Sequence, residues 1–326
     1  MNYRKFNHLG FGCSEVGLGC WQLGGNDWGD ISETQAFDIL AKAVERGINF
    51  FDTADVYGDG RSETLIGNFL KSSKANVFVA TKLGRRQIYP NNYTEATIRA
   101  ATEESLQRLQ LNALDLTQLH CIPTEVMRQG EVFDWLRKLK AEGKIKSFGA
   151  SVESVEEALI CLKQEGLSSL QIIFNIFRQK PIAELFEEAK AKSVALIVRL
   201  PLASGLLGGK LTRQSNFPAN DHRNYNRDGQ FFNVGETFAG LSFELGVDLA
   251  EELRQFVPSE MTMAQWAMRW ILDFDAVTVV IPGATKAQQV MDNAAVSDLP
   301  TLGADVHHRL QTFYDQKVAQ HIRGPY

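Results

Sequence analysis

The 326-residue chain reads as an α/β protein, a (β/α)8 TIM barrel in one domain over residues 1–326, and three observations point there. Eight short apolar runs recur along it, most of them apolar on both faces, as buried parallel strands are. Segments of helical periodicity lie between the runs. Eight such units in about this length fit a barrel better than a doubly wound sheet, and no G-x-G-x-x-G follows the first strand.

The predicted strands are VGLGCW (16–21), INFFDT (48–53), VFVATK (77–82) and LDLTQLH (114–120), then IKSFGAS (145–151), LQIIFN (170–175), ALIVRLP (195–201) and TVVIPG (278–283). Ahead of them, YRKFNHLGFGCSEVG has the pattern of a small hairpin that would close the bottom of the barrel. The helices announce their own ends. Ser32 and Gln35 stand at capping-box spacing, Ala36, Ile39, Leu40, Ala43 and Val44 share one face, and Gly47 is the predicted stop. Ser154 with Glu157 and Thr262 with Gln265 repeat the box; Gly166 stops the helix that Ser154 starts. The connection from Pro201 to Thr278 is far longer than one helix needs, and its NFPANDHRNYNRDGQFF segment is polar and aromatic without periodicity. A loop that long is usually functional, and after the seventh strand it would lie over the mouth of the barrel.

Composition narrows the function. With 44% hydrophobic and 22% charged residues the chain can bury a large core, and a net charge of −5 without long runs of one sign argues against nucleic acid and anionic membrane as partners. The opening residues hold no apolar run of a secretory leader, and no stretch approaches 18 apolar residues. Cys13, Cys20, Cys121 and Cys161 are scattered without CxxC spacing, as reduced thiols are. A cytoplasmic protein is expected. There is no long interaction tail, and no signal of oligomeric state.

Strand ends of a barrel converge on one mouth. Asp52 ends the second strand, Tyr57 follows in its loop, Lys82 ends the third and His120 the fourth. Each residue type alone has an ordinary explanation as a cap or loop residue; their coincidence on successive strands does not. Carbonyl reduction needs such a set. Hydride addition leaves negative charge on oxygen, so a proton donor must stand beside it. Tyrosine, with a pKa of about 10, is a reluctant acid, and an ammonium such as Lys82 is expected to lower that value. Asp52 would hold the lysine charged, and His120 would hydrogen-bond the carbonyl oxygen. The other chemistry open to a strand-end lysine is a Schiff-base aldolase.

The sequence also resembles the aldo-keto reductases over nearly its whole length, and GINFFDTADVYGDGRSETLIG is similar to that family's first signature almost residue by residue. The resemblance implies a catalytic tetrad at Asp52, Tyr57, Lys82 and His120, and NADPH/NADP+ bound without a Rossmann domain. It implies carboxamide contacts at Ser151, Gln171 and Asn175, although Val152 stands where many relatives have asparagine. It places PLASGLLGGK on the pyrophosphate, through Leu202, Ser204, Leu206, Gly208 and Lys210. It places IPGATKAQQVMDN on the adenosine, through Gly283, Thr285, Lys286, Gln289, Asp292 and Asn293. Arg199 stands where many relatives stack an aromatic ring on the nicotinamide, and Gln289 where many have arginine. Lys286, with help from Lys210 or Arg213, would then read a 2′-phosphate and favour NADPH over NADH. The expected partner is a small-molecule carbonyl compound, in a pocket lined by Trp21, Trp28, Tyr89, Tyr225, Phe231 and Phe232. A regulatory subunit that binds the nucleotide with little turnover is the alternative the family also offers.

Overall fold

A computed structural model describes residues 1–6, 10–25, 28 and 31–326. Two strands, β1 (Tyr3–Phe6) and β2 (Phe11–Ser14), pair antiparallel as the predicted hairpin; residues 7–9 lie outside the described residues. Eight parallel strands follow: β3 (Leu18–Gly19), β4 (Phe50–Asp52), β5 (Phe78–Leu83), β6 (Leu116–His120), β7 (Phe148–Ser151), β8 (Leu167–Ile173), β9 (Ala195–Arg199) and β10 (Val277–Val280). Each pairs with the next, and parallel bridges Val16–Val280 and Gly19–Gly283 join the first to the last. The ring is closed.

The first strand is shorter than the sequence predicts. Cys20 donates its N–H to the Asp52 carbonyl at 2.8 Å, and the chain then turns into a 3-10 segment, Trp21–Gly24. Strand six starts and ends earlier than predicted, which leaves Asn175 in the turn beyond it.

Side chains alternate across a strand, so every second residue faces the barrel axis. The lower axial positions form an apolar cluster of Phe50, Phe78, Ala80, Leu116, Ala195, Ile197, Val279 and Ile281. Phe6 of the hairpin plugs this cluster from below, with ring centroids 6.2 Å from Phe50 and 5.9 Å from Phe78. Complete burial of a phenylalanine is worth roughly 1.5–3 kcal/mol, so the plug also secures the hairpin.

The helix signals are largely realised. Ser32 accepts the Gln35 N–H, and Gly47 and Gly166 have the left-handed φ of helix stops, 79° and 78°. Ala36, Ile39, Leu40 and Ala43 are buried. Thr262 and Gln265 make the full reciprocal box. Ser154 caps the Glu157 N–H, but the Glu157 carboxylate accepts from Glu153 N–H at 2.8 Å and the Thr124 hydroxyl at 2.7 Å. The acid ties two loops together where a box was expected. The four cysteines are buried and unpaired. No helix among the described residues is long and apolar enough to cross a membrane.

Candidate active site

The alternation that fills the lower barrel with apolar groups makes its upper layer polar. Two residues above Phe50 stands Asp52; above Ala80 stands Lys82; above Leu116 stand Gln118 and then His120; above Ile197 stands Arg199. Lys82 is 1% exposed and its Nζ donates to Asp52 Oδ2 at 2.6 Å, the Thr53 carbonyl at 2.8 Å and Tyr57 Oη at 3.1 Å. All three ammonium hydrogens are therefore spent. Asp52 Oδ1 accepts from Gln171 Nε2 at 2.7 Å and Gln118 Nε2 at 3.2 Å. A fully buried ion pair is tolerable only with its remaining hydrogen bonds satisfied, and here they are.

Tyr57 reaches this layer through a tight turn. Gly58 has φ +59°, and a Cβ there would fall 2.1 Å from the Gly24 carbonyl oxygen. Glycine lets the two loops touch, and Trp21 stacks on the Tyr57 ring at 5.8 Å and 18°. His120 stands edge-on to the same ring at 5.9 Å and 87°.

The electrostatics correct one expectation. Burial pushes the Tyr57 phenol up to about 12, against the lowering pull of the Lys82 ammonium. Desolvation of the phenolate outweighs the neighbouring charge, so the tyrosine keeps its proton. Burial disfavours the Lys82 ammonium, but Asp52 and then Tyr57 hold its pKa above the ordinary lysine value. His120 is lowered well below its usual value by burial, then by Lys82, Arg85 and Arg199, and so is a neutral imidazole.

Above this floor opens a cavity of about 990 Å3, the upper end of the range for small-molecule sites. Asp52, Tyr57, His120, Gln171 and Arg199 line it, together with Leu202, Ser204, Gly208, Lys210, Gly283, Thr285, Gln289, Asp292 and Asn293. Four of the expected cofactor contacts do not line it. Ser151 sits with Oγ 3.6 Å from Cys121 Sγ, Leu206 packs into the core against Gly246, and Lys286 is exposed at a helix start. Asn175 donates to the Leu200 carbonyl and braces the loop after β9. The Gln171 amide nitrogen is engaged by Asp52. Gln289 caps its own helix, accepting from Thr285 N and Lys286 N, and Arg213 is paired with Asp248. Trp21, Trp28, Tyr89, Tyr225 and Phe232 line the cavity, whereas Phe231 is 74% exposed and stays outside.

The structure also adds residues. Gln118 supports Asp52, and its inward position two before His120 was the signal for it. Gln22 lies against Gly283, where a Cβ would meet Gln22 Oε1 at 2.2 Å. Glu236, from the long loop, reaches Arg199 Nη2 at 2.5 Å. Arg85 donates to the His120 carbonyl at 3.0 Å and pairs with Glu153 at 3.4 Å. Four buried polar atoms of cavity-lining residues lack any partner among the described residues: Gln22 Oε1, Trp28 Nε1, His120 Nδ1 and Arg199 Nη1.

The model of the Aldo/keto reductase family matches residues 15–315. The chain belongs to that family. It is an NAD(P)H-dependent oxidoreductase of the aldo-keto reductase type. It is 27% identical to the aldo-keto reductase YhdN of Bacillus subtilis, over 100% of this chain and 97% of that protein. It is 29% identical to the NADH-specific methylglyoxal reductase of Escherichia coli, over 90% and 92% of the two chains. Among solved structures it is similar to the glycerol dehydrogenase AKR11B4 of Gluconobacter oxydans, with a TM-score of 0.80, 28% identity and coverage of 100% and 97%.

Proposed function

We propose that this protein reduces aldehyde or ketone carbonyls to alcohols with NADPH, using Tyr57 as the general acid. The observation that carries the reading is the Lys82 ammonium, which joins the Asp52 carboxylate to the Tyr57 hydroxyl on the floor of the cavity.

The cavity suits a nicotinamide dinucleotide. Gln22 Oε1, an acceptor, and Arg199 Nη1, a donor, have no partner among the described residues, and both residues line the cavity, as polar groups left for a ligand do. Gly208 has open space where a Cβ would stand, so its backbone can be approached closely. When bound, the nicotinamide supplies the hydride. The rest falls to the protein. Tyr57 Oη gives its proton to the carbonyl oxygen as charge develops there. The Lys82 ammonium stabilises the phenolate left behind, and Asp52 keeps that ammonium in place. Neutral His120 can donate a hydrogen bond to the same oxygen without competing for the proton. Trp21 and Trp28, edge to face at 5.7 Å, form an apolar wall beside the tyrosine that excludes water.

An aldolase would need a free, neutral lysine amine. Lys82 is charged and triply bonded, which argues against it. A panel of aldehydes and ketones followed by NADPH absorbance tests the proposal. Turnover of one or more, at rates typical of enzymes, is expected; binding of NADPH without turnover of any would favour the regulatory alternative.

A further inference from the structure

The cavity floor carries more charge than proton donation needs. Besides Asp52, the cavity is lined by Arg85, Arg199 and Glu236. Arg85 pairs with Glu153, whose carboxylate lies within 4.8 Å of that of Glu236, and Glu236 is the carboxylate in direct contact with Arg199. Arg199 is 9% exposed, and one nitrogen, Nη2, makes its contacts: Glu236 Oε1 at 2.5 Å, the Val152 carbonyl at 3.0 Å and Cys121 Sγ at 3.5 Å. Nη1 is buried and without a partner. The guanidinium thus lies beside the residue that follows His120, at the end of the cavity where a carbonyl would react.

Glu236 is not on a strand. It comes from the loop after β9, and its backbone is pinned there: Ser204 Oγ donates to the Glu236 carbonyl at 3.1 Å and accepts the Phe238 N–H at 3.2 Å. The loop therefore delivers one carboxylate to one buried cation.

We infer that Glu236 is a positioning residue that neutralises Arg199 and thereby sets the balance between oxidised and reduced nicotinamide in the site. The inference rests on the nicotinamide reading above. The hydride-donating ring must lie against Tyr57 and His120, and hence within reach of the Arg199 charge. The oxidised ring is a cation and the reduced ring is neutral. An uncompensated guanidinium as buried as Arg199 would repel the first and leave the second nearly untouched. With Glu236 in place the pair is neutral, and Nη1 remains as a hydrogen-bond donor.

The test is calorimetric titration of the whole protein with NADP+ and with NADPH, for the unsubstituted protein and for Glu236→Gln, Arg199→Gln and the double variant. Glu236→Gln should raise the ratio of the NADP+ Kd to the NADPH Kd on the order of tenfold. Arg199→Gln leaves the carboxylate alone and should move the ratio the opposite way. The double variant should return it to near the starting value. A purely structural role would weaken both nucleotides together and give no opposite-signed pair. If the ratio is unchanged in both single variants while both nucleotides bind, the inference is overturned and the nicotinamide reading survives. If the unsubstituted protein binds neither nucleotide, that reading fails and the inference with it. Should Glu236→Gln not fold, Arg199→Gln alone still decides the sign.

Discussion

The cavity floor and its far wall are built on different terms. On the floor, Asp52, Lys82, Gln118 and Gln171 stand on strands whose register fixes their heights, and each is held by hydrogen bonds within the layer. On the far wall, Gly208, Lys210, Thr285 and Gln289 come from a loop and a helix start, partly exposed and held by local contacts. The floor is rigid and specified by side chains. The wall offers backbone and scattered charge, so single substitutions there should matter far less.

The sharpest test of that contrast is Tyr57→Phe, which removes the proton donor and keeps the ring on Trp21. We expect kcat to fall about 10²–10⁴-fold, as loss of a general acid does, with NADPH affinity within about twofold. A variant retaining a tenth of kcat would remove Tyr57 from that role. The pH profile sharpens it. The acid must be protonated, so reduction should persist at low and neutral pH and decline only as pH approaches the Tyr57 pKa of about 12. A descending limb near pH 7 to 8 would show that the ammonium, and not burial, governs the phenol.

Lys82→Met should be as inactive and also less stable. It leaves the Asp52 carboxylate buried without its cation, a loss of about 3–5 kcal/mol that urea unfolding would read. Borohydride treatment of the unsubstituted protein with substrate should leave no adduct on Lys82. Gly58→Ala is the next effect in size. The new Cβ would meet the Gly24 carbonyl at a left-handed φ, so about 1–3 kcal/mol of stability should go, visible as a lower Tm.

The far wall should give the smallest response. NADPH is expected to bind more tightly than NADH, with the preference carried by Lys210 on the cavity wall and Lys286 acting only from outside it. Lys210→Ala should reduce it about two- to fivefold, the worth of an exposed ionic contact, and Lys286→Ala less. Fluorescence titration of both cofactors reads this. Equal losses for NADPH and NADH would mean that the lysines support the loop and do not read the phosphate.

The same contrast decides what was legible in the sequence. Asp52, Lys82 and His120 could be placed because a strand end tells where a side chain goes; Gln118, two before His120 and missed in the sequence, could have been found by the same period of two. Glu236 could not. It lies in an aperiodic loop, and only the folded chain brings it across 37 positions to Arg199. Ser151, Leu206 and Lys286 sit at the expected places along the chain but not on the cavity wall, since sequence gives the position of a residue more readily than its rotamer. The reversed shift of Tyr57 has the same origin: the neighbouring charge is visible in the sequence, the depth of burial is not.

The aromatic plug beneath the barrel has a consequence for traffic. Phe6, Phe50 and Phe78 fill the lower end, so among the described residues the upper mouth is the doorway to the chamber. A deep ligand and a shallow one sharing that doorway cannot come and go independently. If the ring of the dinucleotide occupies the floor, it must arrive before the carbonyl compound and depart after the alcohol. Product inhibition should then follow an ordered pattern, with the oxidised dinucleotide competing against the reduced one and the alcohol competing against neither.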